Sequence, residues 1–169
     1  MHLLFTMASN DVYGILYERM QYFHKKHQDE LSALQEQCKK VKTIDDLHHL
    51  ASQFDSLSHE LHVHDKLEDK DIFPPISVKT NISQLENQHE NLEQLLIQFE
   101  NCSSRLKHTQ NTEDAIKNAA NEATSFVNQL ATLIIEHENA EEQVIAPENM
   151  KKLFTEDEIK QLFKSLIHH

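Results

Sequence analysis

Histidine stands in slots that otherwise belong to apolar side chains. In four stretches of this chain apolar residues recur at intervals of three and four, the spacing that lines them along one helix face. Each stretch gives at least one such slot to histidine. The first reads Val12, Leu16, Met20, Phe23, His27, Leu31, Leu34, and the second Leu47, Leu50, Phe54, Leu57, Leu61, His64, Glu68, Ile72. The third reads Ile82, Leu85, His89, Leu92, Leu96, Phe99, and the fourth Ala123, Val127, Leu130, Ile134, His137, Glu141, Val144. A chain patterned this way has to pack four long helices with polar groups inside the seam. One glycine and three prolines leave little turn chemistry for a many-stranded protein. The expected fold class is all-α, an up-down-up-down four-helix bundle with a short C-terminal fifth helix.

Capping residues set the expected boundaries. Asn10 or Asp11 starts the first helix, which should run to about Lys42; Thr43 with Asp46 and Ser83 with Glu86 spell capping boxes for the next two. Pro74-Pro75 should stop the second helix and Pro147 the fourth. Thr155 with Glu158 opens the fifth, expected over about 155–167 and carrying Ile159, Leu162, Phe163 and Ile167. Residues 1–169 read as a single domain, with the bundle core at about 11–147.

The second and fourth stripes end in a duplicated pattern, His64-Asp65-x-x-Glu68-Asp69-x-x-Ile72-x-Pro74 and His137-Glu138-x-x-Glu141-Glu142-x-x-Ile145-x-Pro147. Antiparallel neighbours share a layer when the midpoint of two residue numbers falls in the loop between them. The midpoint of His64 and His89 lies between Ile76 and Ser77, that of His27 and His64 between Asp45 and Asp46, and that of His89 and His137 at Glu113. All four histidines can therefore meet in one layer. A lone buried histidine is an ordinary hydrogen-bonded core residue. Two carboxylates without a lysine or arginine on the seam are different, because each would cost several kcal/mol unless a cation neutralised it.

The candidate metal ligands are therefore His27, His64, Glu68, His89, His137 and Glu141. Four imidazoles and two carboxylates, with no thiolate, exceed the needs of a structural zinc site. Two first-row ions bridged by Glu68 and Glu141 fit better, iron ahead of manganese or zinc. His24 is a further ligand or an outer partner, while Asp65, Glu93 and Glu138 are reserve ligands that read more simply as polar residues beside the seam. His59 and His62 lie off the stripe, and His48, His49, His108, His168 and His169 receive no role.

These residues resemble the hemerythrin-like, HHE cation-binding domain. The match rests on His27 followed by Leu31 and Leu34, His64-x-x-x-Glu68 with Phe73-Pro74, His89 within Gln-His-Glu-Asn-Leu, and His137-x-x-x-Glu141 with Pro147. It spans about residues 11–147. The resemblance implies a four-helix bundle around two iron ions, a non-haem centre with an oxo or hydroxo bridge. It also implies a protein that binds or senses oxygen, nitric oxide, peroxide or iron. The alternatives are a di-iron redox enzyme or iron-sulfur repair factor, and a metal-free helical interaction module whose buried histidines respond to pH; whether the chain is an enzyme stays open. Glu93 stands where oxygen carriers place a second histidine on the third helix, and His137-x-x-x-Glu141 replaces their His-x4-Asp. Room for a small ligand is expected at the end of the metal pair facing helix one.

A net charge of −12 argues against nucleic acid and anionic membranes as partners. Leu3-Leu4-Phe5 is too short for a signal-peptide core or a membrane span. Cys38 and Cys102 form no close pair in sequence, which favours the cytoplasm.

Overall fold

The computed structural model describes residues 11–164, and all its regular structure is helical. In chain order come α1 (Val12–Cys38), α2 (Ile44–Leu67), a π-helical turn (Glu68–Ile72), α3 (Phe73–Ser77), α4 (Ser83–Lys107), α5 (Glu113–Ile145), α6 (Pro147–Leu153) and α7 (Glu156–Leu162). Among the described residues no helix is long and apolar enough to cross a membrane.

Several helix starts follow from their caps. Asp11 accepts the Tyr13 N–H, Thr112 accepts that of Ala115, and Thr43/Asp46 and Thr155/Glu158 close full capping boxes. The box expected at Ser83 and Glu86 does not form. Instead the Asn81 side chain accepts the Ser83 N–H at 2.9 Å, and Ile82 sits at the cap position. α1 stops at Cys38 rather than Lys42, because the N–H groups of Lys42 and Thr43 are already committed to the Asp46 carboxylate that caps α2.

The prolines act differently from expectation. Pro74 and Pro75 lie in the first turn of α3, where the fixed proline φ suits the helix. Upstream the backbone widens into the π turn, and Phe73 N–H bonds the Glu68 carbonyl five residues back. Pro147 does follow the end of α5, but it also opens α6, which the sequence pattern did not announce. α7 begins at its predicted cap and is described to Leu162, which is 44% exposed; Ile167 lies outside the described residues.

The long helices pair in opposite directions. Along α1, His24 reaches Glu142, Gln28 reaches Glu138 and Gln35 reaches Asn128 on α5. On α2 and α4, Ser103 bonds Asp55, Ser58 bonds Glu100 and His89 meets Asp69 of the following π turn. Arg105 with Glu122 and His89 with Glu141 join α4 to α5, and Lys26 with Glu60 joins α1 to α2.

Inside this arrangement the apolar core is divided in two. One cluster, centred on the stacked rings of Phe54 and Phe99 at 4.0 Å, ends at Leu31, Leu61, Leu92 and Ile134. The other begins at Met20, Ile72, Leu85 and Ile145 and takes in Phe154 and Phe163 from the C-terminal segment. Tyr13 strengthens that second end by donating its hydroxyl to the Phe154 carbonyl at 3.1 Å. On each long helix the residues between these two boundaries include the histidines and glutamates of the seam. Each apolar side chain fully buried on either side contributes about 1.5–3 kcal/mol, so a polar layer between two such clusters is held by packing above and below it.

Candidate metal centre

The layer is assembled from four helices. His24 comes from α1, His64 from the last turn of α2, Glu68 from the head of the π turn, His89 from α4, and His137 and Glu141 from α5. Their donor atoms fall into two groups, His24, His64, Glu68 and Glu141 in one, and Glu68, His89, His137 and Glu141 in the other; within each group the atoms lie within 4.8 Å of one another. Ligands at about 2.0–2.2 Å from a first-row ion stand at most about 4.4 Å apart, so each group has nearly the dimensions of one coordination sphere. Glu68 and Glu141 belong to both groups and are placed to bridge them.

The polar atoms behave as donors awaiting a cation. His64 Nε2 lies 2.9 Å from Glu68 Oε1, and His137 Nε2 lies 2.9 Å from Glu141 Oε1. Yet His64 Nε2, both oxygens of Glu68, Nε2 of His24 and His137, and Oε2 of Glu141 make no aligned hydrogen bond and are sealed from solvent. Close approach without hydrogen-bond alignment is the arrangement of lone pairs converging on a common centre. Both Glu68 and Glu141 are 0% exposed, and among the described residues no lysine or arginine pairs with either. Left alone, two such carboxylates would cost several kcal/mol each; the donor set fits a pair of metal cations.

Electrostatics agree. Burial and the neighbouring Glu141 charge raise the Glu68 carboxyl, whereas Glu141, despite burial, is held down by His137, His24 and His89. Burial drives His64 down to about 4, leaving a neutral imidazole. Burial also opposes a proton on His24 and His89, but Glu141 and Glu142 beside the first, and Glu141, Glu68 and Asp69 beside the second, raise them to about 9 and about 11. A cation bound between the carboxylates would offset their charge in the same way and leave the imidazoles neutral.

A second ring of carboxylates orients three imidazoles. His24 Nδ1 is 2.9 Å from Glu142, His27 Nδ1 is 3.1 Å from Glu138, and His89 Nδ1 is 2.8 Å from Asp69. An ionised carboxylate only accepts, so the Nδ1 proton points outward; on His24 and His89 this leaves Nε2 to face the centre.

Of the six residues named from the sequence, five fall in the two donor groups. His27 does not. It is buried beside them, its ring 4.8 Å from that of His64, and the α1 donor in the first group is His24. The stripe explains the shift. Phe23 is 38% exposed, and the buried series is Met20, His24, His27, Leu31, Leu34, which alternates fours and threes without a break. Glu138, read as a polar residue beside the seam, is instead 1% exposed and bonded to His27 and Gln28. Asp65 is half-buried and Glu93 exposed. The side facing α1, where room for a small ligand was expected, carries His24 and His27 with their carboxylate partners. Glu142 and Asp69 were missed, although the signal existed: both copies of the duplicated pattern place an acid directly after the glutamate ligand.

The family model described as hemerythrin HHE cation binding domain matches residues 15–147. No curated protein and no solved structure matches the chain.

Proposed function

The chain belongs to the hemerythrin HHE cation-binding domain family, and on that premise we propose that it is a non-haem di-iron protein that binds or senses a small molecule such as oxygen, nitric oxide or peroxide, or iron itself, in the cytoplasm. The observation that carries the reading is the set of buried donor atoms without hydrogen-bond partners, converging from α1, α2, α5 and the π turn. We read those long helices as the up-down-up-down bundle within a single domain.

One iron would be held by His24, His64, Glu68 and Glu141, the other by His89, His137, Glu68 and Glu141. A bound pair would supply redox change and exchangeable coordination positions. The protein's part is to hold the donors. Glu68 and Glu141 span both positions, Glu142 and Asp69 fix the rings of His24 and His89, and His27 braces His64 from the side. Above and below, the Phe54/Phe99 cluster and the Phe154/Phe163 cluster keep bulk water from the layer.

Metal content per chain, measured together with the visible spectrum before and after oxygen, peroxide and nitric oxide, tests the reading. Two irons per chain with ligand-dependent charge-transfer bands are expected. A single zinc, or no metal in protein purified under mild conditions, would overturn it.

A further inference from the structure

The two ends of the donor layer differ in their access to solvent. At the α1 end His24 and His64 are 1% and 7% exposed, with His27 and Glu138 buried behind them. At the α4 end His89 has a side chain 10% exposed, the highest value among the six donors. It is also the donor that lines a cleft of about 340 Å³ between α2 and α4. Five carboxylates border that cleft, Asp65, Asp69, Glu86, Glu90 and Glu93, against one lysine, Lys66.

Taking the metal reading above as its basis, we propose that this cleft is the entrance through which divalent cations reach the centre, with His89 at its inner end. A second observation ties the cleft to a ligand. The His89 ring spans from the cleft to the donor layer: Nδ1 meets Asp69 on the cleft wall, and Nε2 lies 3.4 Å from Glu68, whose two oxygens are buried and without hydrogen-bond partners. The partly exposed His89 ring is thus the side chain that touches both the cleft and the unpaired carboxylate oxygens of the layer. Walls of one charge sign concentrate counter-ions and speed association by about 10- to 1,000-fold, an effect that salt weakens. Dioxygen and nitric oxide, being neutral, gain nothing from these charges, so the cleft favours the metal over the gas.

Glu86, Glu90 and Glu93 are exposed and belong to neither donor group, which makes them suitable to test. Metal-free full-length protein is mixed with cobalt(II) in stopped flow, the visible band of the bound ion is followed, and the run is repeated across a range of salt. The triple variant Glu86→Gln/Glu90→Gln/Glu93→Gln should load about tenfold more slowly at low salt, lose most of its salt dependence, and reach the same final cobalt content as wild type. A control carrying the same charge change at the exposed Glu18, Glu113 and Glu136 should load like wild type. Equal loading rates in the cleft variant and wild type, or equal slowing in the control, would overturn the entrance. A fall in the final content of the cleft variant would also overturn it, since those acids would then be part of the binding set. Wild-type protein that takes up no cobalt would instead remove the metal reading on which the entrance rests.

Discussion

His24 is held between two consecutive glutamates of α5, its Nδ1 2.9 Å from Glu142 and its Nε2 3.3 Å from Glu141. The outer contact fixes the ring so that the inner nitrogen faces the donor layer. Removing the outer charge should therefore act on metal affinity through His24. Outer carboxylate partners of histidine ligands are worth about 10- to 100-fold in affinity. Glu142→Gln should weaken metal binding within that range, and Glu138→Gln, whose partner His27 lies outside both donor groups, should weaken it less. Competition titrations against a chromophoric chelator measure both. The reverse order would make His27 the α1 ligand.

Glu68 and Glu141 each serve both donor groups. Replacing either by alanine would remove a carboxylate shared by both groups, so on the di-iron reading iron content should fall by more than in a variant losing one histidine. Elemental analysis of Glu68→Ala, Glu141→Ala and His137→Ala, purified side by side, decides it; full metal occupancy in both glutamate variants would remove the bridging assignment.

The histidines and glutamates of the seam were legible in sequence because a ligand on a helix must take a slot on the buried stripe, and His64, Glu68, His137 and Glu141 continue the alternation of threes and fours seamlessly. On α1 the same rule put Phe23 on the stripe in place of His24. With both Phe23 and His24 available, hydrophobicity favoured the phenylalanine, whereas packing against α5 buries the histidine, because carboxylates at Glu141 and Glu142 wait for it there. Local pattern cannot report what a partner helix offers. The π turn was hidden for a similar reason. Pro74 and Pro75 normally argue for a stop, and the wider turn at Glu68–Ile72 that carries the chain past them has no spacing signal of its own.

Away from the metal layer, Asp55 links α2 to α4 through Ser103 and Lys107. Partial burial raises its carboxyl, but the Lys107 and Ser103 contacts outweigh that and hold it below the usual value. A carboxyl lowered in the folded state adds stability at pH above its unfolded value, and the contribution disappears as pH falls through the folded one. Asp55→Asn should therefore lower stability at pH 7 and have little effect near pH 2. Both side chains are more than a third exposed, so the loss at pH 7 should be under about 1 kcal/mol. Urea titrations of the metal-free protein and its variant at the two pH values test this, and a larger effect in acid would contradict the pairing.

Removal of the metal should lower the melting temperature without unfolding the chain. Small zinc modules owe about 10–16 kcal/mol of apparent folding free energy to their ion and are unfolded without it. Here two apolar clusters flank the donor layer independently of it, and Phe54 stacks on Phe99 well within one of them. Truncating such a residue, as in Phe99→Ala, should cost about 3–5 kcal/mol whether or not metal is bound. Chelation instead should leave both clusters intact and empty only the layer between them. Circular dichroism after exhaustive chelation should retain most of the helical signal at room temperature, with a lowered but still cooperative transition. Loss of the helical signal on chelation at room temperature would mean that the ions, rather than the two clusters, hold the four helices together.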